Sequence, residues 1–261
     1  MLLENAVWLF AALDVLWLLA VARREVSFID SVWGLAMAGL ALLSLRDVRL
    51  GAAPMLLAFL AAVWGVRLGV HLLRRYLRHG EDTRYREILP DPANLPAFAV
   101  TALWKVFLLQ GILIMLVSSP VQVGIVASEY DQRVPGLAWI GVALWAVGMF
   151  FEVVGDWQLA RFKADPGNSG KVMYRGLWRY TRHPNYFGDA CVWWGIWLTA
   201  MTIAPETVVW TLPGPLFLTF TLVRWSGAAM TERGMRAKYG DAFAAYVRRT
   251  PAFVPWFPKA G

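Results

Sequence analysis

Apolar residues run along this chain in stretches too long for the stripe of a soluble helix. Seven stretches, 2–22, 26–46, 51–73, 97–118, 134–159, 186–204 and 207–225, are mostly apolar and long enough to span a bilayer as a helix. Polar and basic residues gather in the gaps between them. The pattern predicts an all-α, polytopic membrane bundle of about seven transmembrane helices. Pro213 and Pro215 fall inside the last stretch and predict a kink. Lipid tolerates a kink only where neighbouring helices satisfy the freed carbonyls. Beyond 225 the pattern changes. ERGMRAKYGDAFAAYVRR is charged with a helical period and ends at TPAFVPWFP. It reads as a C-terminal amphipathic cytoplasmic helix that caps the bundle or lies on the membrane. A lipid-surface anchor alone would account for its basic residues and Trp256.

The gaps also give an orientation. The 23–25 turn, the 74–96 loop, the 160–185 loop and the tail from 226 hold nineteen Lys and Arg residues; the opposite side holds only Arg46, Arg49 and Arg133. The positive-inside rule puts the first group in the cytoplasm and, with seven crossings, the N-terminus outside. The expected place is an integral, multi-pass position, the inner membrane if the source is bacterial. The net charge of +7 therefore reflects topology and does not call for nucleic acid. Composition agrees, with 58% hydrophobic, 16% charged and fifteen Trp residues. Soluble domains carry about a quarter charged residues. One cysteine excludes an intrachain disulfide framework, and three scattered histidines show no metal-ligand spacing, so no metal is expected. The absence of a basic n-region marks the first stretch as a retained helix. No internal repeat or linker divides 1–261, which reads as one integral-membrane domain.

Ionisable groups inside spans are costly and commonly face a partner or a cavity. Asp30 lies near the start of the second stretch, Arg67 and His71 sit four apart in the third, and Lys105 and Gln110 lie in the fourth. An Asp30–Arg67 ion pair joining two helices would explain those two residues without any chemistry. Asp14 and Lys105 read as structural. Glu152 and Asp156, four apart near the inner end of the fifth stretch, repel one another. They need a cation or a donor, which the next loop or the hydroxyls and amide of a nucleotide can supply.

The sharpest signal is YRGLWRYTRHPNYFGDACVWWGIWL, residues 174–198. Gly176 permits a tight turn after a basic loop. Pro184 pushes His183 toward extended backbone, and Asn185 can cap the helix beyond it. Tyr180 and Tyr186 offer flat faces for a ring, and Arg175, Arg179 and Arg182 can meet phosphate. Gly188 lets a backbone or a ligand come close. These features suit a phosphorylated or sulfonium-bearing nucleotide at a membrane face. Without a GxGxxG run, the site is not a Rossmann one.

GLWRY followed by RHPNYFGD resembles the cofactor-binding signature of the steroid 5α-reductase and sterol reductase superfamily. It is most similar to the bacterial steroid 5α-reductase-like membrane proteins. SFIDSVWG (27–34), GEDTRY (80–85) and the KYG-bearing tail extend the resemblance. It implies an oxidoreductase using NADPH on an apolar steroid or lipid enone, with substrate-pocket helices in 1–118 and a cofactor region in 134–261. Hydride would pass from C4 of the reduced nicotinamide to the β-carbon of the enone, and a proton would be added at the α-carbon. The implied cofactor residues are Glu152, Asp156, Lys163, Lys171, Arg175, Tyr180, Arg182, His183, Asn185, Tyr186, Asp189 and Tyr239. Basic residues near the adenosine favour the 2′-phosphate of NADPH. The carbonyl must be polarised as its oxygen gains charge. The corresponding positions direct attention to Asp30 and Arg67, with His71 and Tyr85 as further candidates.

Two other readings stand beside this one. Isoprenylcysteine carboxyl methyltransferases share an RHPxYxG stretch and a tail Glu resembling Glu232, which implies an S-adenosylmethionine-dependent membrane methyltransferase. The Asp189 position and the Glu152/Asp156/Lys163 arrangement resemble the reductases more closely. A transporter or structural helix bundle is the third reading.

Overall fold

The computed structural model describes residues 1–46, 48–128 and 133–259, and among them every regular element is helical. The first half holds α1 (Leu2–Arg23), α2 (Ile29–Leu43), α3 (Ala52–His79), the short α4 (Thr83–Ile88), α5 (Leu95–Val117) and α6 (Ser119–Ala127). The second half holds α7 (Ala138–Ala164), α8 (Pro184–Ile203), the interrupted α9 (208–225) and α10 (Ala228–Arg249). Among the described residues, five helices are long and apolar enough to cross a membrane: α1, α3, α5, α7 and the run Pro205–Arg249. That run of 45 residues is about twice what a bilayer needs. Seven of the 22 residues of α10 are charged, so the apolar part of the run is α9.

Local departures from the expected pattern have local causes. α3 continues past 73 to His79 because RRYLRH contains no helix breaker, and it stops where Gly80 takes φ 71°. α2 is 15 residues long, shorter than the 26–46 stretch, because residues 24–28 form a turn after the left-handed Arg24. α9 is broken at Leu212, immediately before Pro213, where a kink was expected. Two single-turn π segments, Leu103–Leu108 and Thr221–Trp225, interrupt α5 and end α9.

The chain forms two compact units. The first comprises Met1–Ala138 and Ala200–Gly214. Its α2 and α3 touch backbone to backbone at Gly34 and Gly65, where a Cβ on Gly65 would stand 2.3 Å from the Gly34 carbonyl oxygen. A buried polar node ties α1, α6 and the end of α2. Asn5 Nδ2 donates to Ser44 Oγ and to Gln122 Oε1, each at 2.9 Å, and Gln122 Nε2 donates to Ser118 Oγ at 2.8 Å. In an apolar surrounding, such side chains hold helices together because they have no water to turn to.

The second unit comprises Trp139–Thr199 and Pro215–Gly261. α7 and α8 run antiparallel along a glycine seam. Gly141, Gly148 and Gly155 recur every seven residues on α7, and Gly188 and Gly195 do so on α8. A Cβ at Gly148 would lie 2.5 Å from the Gly188 carbonyl oxygen, and one at Gly188 would lie 2.7 Å from the Glu152 amide nitrogen. Only hydrogen fits between these backbones. Gly155 faces Pro184 and Asn185, so the seam brings the C-terminal part of α7 against the start of α8.

Replacing Gly148 with leucine should wedge this seam open and cost at least the ~1–3 kcal/mol of an overpacked core site. Thermal unfolding in detergent checks it. Gly39→Ala is the control, because nothing lies within 4 Å of a Cβ there. It should match or slightly exceed the parent.

Candidate active site

In the second unit, the 174–198 stretch is pinned to α7 at its start. Gly176 takes φ 60° in a short 3-10 turn, and the Gln158 amide fills the space a Cβ would need. Gln158 Oε1 accepts from Leu177 N at 2.9 Å, and Trp178 Nε1 donates to Gly155 O at 3.1 Å. Gly176 is therefore required both by its torsion angle and by this contact.

The next residues hold the tail. Arg182 N donates to Pro251 O, Trp256 N donates to Tyr180 O, and Thr181 Oγ1 donates to Phe253 O at 2.8 Å. The Arg182 guanidinium faces inward. Nε donates to Glu232 Oε1 at 2.8 Å, and Nη1 reaches the carbonyls of Val247 and Thr250. His183 Nε2 meets the same Glu232 oxygen at 3.1 Å, which requires its proton on that nitrogen. Burial alone would raise the Glu232 pKa, but the bonds from His183 and Arg182 outweigh it and hold the carboxyl down to about 2. The His183 ring stacks on Tyr186 at 5.2 Å with the planes 5° apart. The Tyr186 and Thr231 hydroxyls lie 3.3 Å from each other.

The helix itself opens at Pro184, so His183, not Asn185, stands at the position before it, and its carbonyl accepts from Phe187 N. Asn185 lies in the first turn instead. Its Nδ2 donates to Asp156 Oδ1 at 3.2 Å, while its Oδ1 is buried with no hydrogen-bond partner. Glu152, 2% exposed, sits one turn before Asp156 and packs against Gly188. Asp189 is half-buried on the next turn of α8. Lys163, Lys171, Arg175 and Tyr180 lie exposed around this end. The Arg175 guanidinium rests over the Tyr174 ring at 5.9 Å, and Tyr180 meets Phe257 edge-on. Tyr239 packs on the Val172–Phe243–Tyr246 cluster, with the Lys238 ammonium 5.2 Å from its ring centre.

In the first unit, Asp30 is the focus of a second polar group. Its Oδ2 accepts from Arg84 Nη2 at 2.8 Å and its Oδ1 from the Tyr85 hydroxyl at 2.5 Å. Gln110 Nε2 donates to the same hydroxyl at 3.3 Å. Arg84 also grips Asp82, which takes a further bond of 2.6 Å from Arg75 Nη2. Burial opposes ionisation of Asp82, but Arg84 and Arg75 prevail and keep its pKa low. Burial and then the Asp30 carboxylate push the Tyr85 phenol up, so it stays protonated at neutral pH. A cleft of about 20 Å³, room for one water, opens beside the group and is lined by Ser27, Asp30, Arg75, Tyr76 and Asp82. Arg67 and His71 lie half-buried on α3 of the same unit.

The structure thus joins Asp30 to Tyr85, and Asp156 to Asn185. It also shows partners to which the sequence assigned no role in a site. Arg84 is inside the GEDTRY motif, and Gln110 is a polar residue in an apolar stretch. Glu232 stood out only through its likeness to a methyltransferase tail.

Sequence comparison adds a lineage to this geometry. A family model described as a protein of unknown function, DUF1295, matches residues 16–250. The chain belongs to the DUF1295 family. Among relatives of this DUF1295 chain, an uncharacterized protein of Schizosaccharomyces pombe is 23% identical over 273 residues, covering 93% of this chain and 76% of its own length. The 3-oxo-5-alpha-steroid 4-dehydrogenase 1 of Rattus norvegicus is 36% identical over 117 residues, 44% of this chain and 40% of its own. The Homo sapiens protein of that name is 33% identical over 91 residues, 34% and 31% respectively. The match therefore spans less than half the length of these dehydrogenases. No solved structure matches the chain.

The ion pair at Glu232 gives a test. Its folded pKa is below the usual value, so its stabilisation is present above about pH 4.5 and is lost as pH falls toward about 2. Glu232→Gln should lower stability at pH 7 by about 1.5–3 kcal/mol, the range for hydrogen bonds to charged groups. It should also flatten the acid limb of a detergent unfolding profile between those pH values.

Proposed function

We propose that this DUF1295 chain is an NADPH-dependent membrane reductase that adds hydride to the C=C bond of a 3-oxo-Δ4-steroid or similar apolar enone. Its similarity to 3-oxo-5-alpha-steroid 4-dehydrogenases supports the reaction class. The observation that carries the cofactor assignment is the Asn185 side chain, which donates to Asp156 and leaves its own oxygen buried without a donor. A buried acceptor of this kind costs about 1–3 kcal/mol unless a ligand satisfies it, and the amide or hydroxyls of a nicotinamide nucleotide are suitable donors. When bound, the reduced nicotinamide supplies a hydride to the β-carbon of the enone.

The protein's own residues do the rest. Asn185, Asp156, Asp189 and Glu152 line the polar end of α8, and Tyr186 offers a ring face backed by His183. Arg182 and His183 direct their hydrogen bonds to Glu232 and the tail, so they act by shaping the wall. Lys163, Lys171, Arg175, Tyr180 and Tyr239 surround this end, where the cations suit a nucleotide phosphate. In the first unit, Tyr85 keeps its proton and gives it to Asp30, while Gln110 donates to the same hydroxyl; a carbonyl would be polarised by that proton turning from Asp30 to the substrate oxygen. Arg67 and His71 are further candidates for that role. On this reading 1–118 supplies the substrate helices and 134–261 the cofactor region of one domain. The topology has seven crossings, counting α2 and α8. The N-terminus is outside, and α10 is an amphipathic helix on the cytoplasmic face.

Titration of the detergent-solubilised chain with NADPH should raise its melting temperature, and Asn185→Ala should weaken binding about tenfold, the worth of one hydrogen bond. Tyr85→Phe should reduce turnover of a 3-oxo-Δ4-steroid while leaving NADPH binding intact. Protection by S-adenosylmethionine with none by NADPH would overturn the assignment in favour of a methyltransferase.

A further inference from the structure

The tail after α10 is extended, and its side chains divide cleanly. Phe253 tucks toward the body of its unit and meets Phe187 at 6.0 Å. Val254, Trp256 and Phe257 point outward, 61%, 70% and 73% exposed. They are not loose. Trp256 N is bonded to Tyr180 O, Lys259 N to Arg249 O, and Phe257 packs edge-on against both Tyr180 and Trp256. Thr250 Oγ1 reaches the carbonyl of Arg179. These bonds gather two large exposed aromatic rings, one valine and the exposed cations Arg179, Arg249 and Lys259 on one surface. A rigid surface that exposes this much apolar area would be a liability facing water.

Two features say what covers it. Pro184, the first residue of the apolar α8, comes four residues after Tyr180, so the patch lies at the basic end of an apolar helix. The patch also combines indole and phenyl rings with guanidinium and ammonium groups, the pairing that suits the headgroup level of an anionic leaflet. We infer that the Val254–Lys259 tail, with Tyr180, Arg179 and Arg249, is a docking surface for anionic phospholipid of the protein's own bilayer. This rests on the membrane placement of the chain and not on the reductase reading. The tail's backbone is bonded to residues 179–182, so lipid engagement also steadies the RHPN turn.

The test uses the full chain in nanodiscs of phosphatidylcholine alone or mixed with phosphatidylglycerol. A Phe257→Cys variant in a Cys191→Ser background carries an environment-sensitive nitrobenzoxadiazole label. Its emission should shift to the blue in the anionic discs. Arg249→Gln and Lys259→Gln should each weaken binding of a short-chain phosphatidylglycerol roughly fivefold, the effect of one basic residue near a charged surface. Unlabelled parent protein, free of any substitution, should show slower amide exchange over 176–183 in anionic discs. Equal emission and equal exchange in both compositions would overturn the proposal. A shift that tracks the number of chains per disc instead would overturn it in favour of an interface between copies.

Discussion

In the second unit two helix backbones approach so closely that the remaining elements are arranged around their contact. At Gly148 and Gly188 there is no room for a single methyl group. Helices that lie in lipid gain little from burying apolar side chains against one another, so they associate where small residues permit dense packing. The seven-residue repeat of glycines on α7 and α8 provides such a line. Its geometry then sets which polar side chains meet where the C-terminal part of α7 passes the start of α8. Glu152 lies against Gly188, and Asp156 comes within hydrogen-bond distance of Asn185.

A single carboxylate organises the turn before α8 and the tail. Glu232 takes Arg182 and His183 on one oxygen, with its two partners nearly buried. An ion pair this sheltered from water stabilises little relative to an apolar packing, but it demands one arrangement of its partners. That arrangement holds α10 against the turn and leaves the tail carbonyls of Thr250, Pro251 and Phe253 as acceptors. The same logic recurs in the first unit. Asp82 and Asp30 divide the donors of Arg84, and Tyr85 completes the group. In both units a motif rich in arginine is built inward as much as outward.

Much of this was legible in the chain. Long apolar runs announced the helices, the Pro213 break fell where the proline put it, and polar residues stranded in apolar surroundings marked Asp30, Gln110, Glu152 and Asp156. The turn at Gly176 was visible from a glycine after a basic loop. The polar node around Asn5 and Gln122 was not, because its members lie 117 positions apart and each looks ordinary alone. The direction in which Arg182 points was hidden for a similar reason. An arginine beside a proline-bounded turn reads as a phosphate ligand until the acidic partner fifty residues later is brought beside it.

Local pattern was enough to specify the helical class, the apolar segments, the asymmetry of positive charge and the motif that opens α8. These depend on short-range periodicity and on transfer of side chains out of water, which neighbouring residues record. Packing alone selected which glycines touch, that Asp30 holds Arg84 and Tyr85, that one glutamate serves both Arg182 and His183, and which tail residues face outward. Those outcomes depend on distances between residues far apart in the chain, and local pattern carries no information about such distances until the backbones have packed.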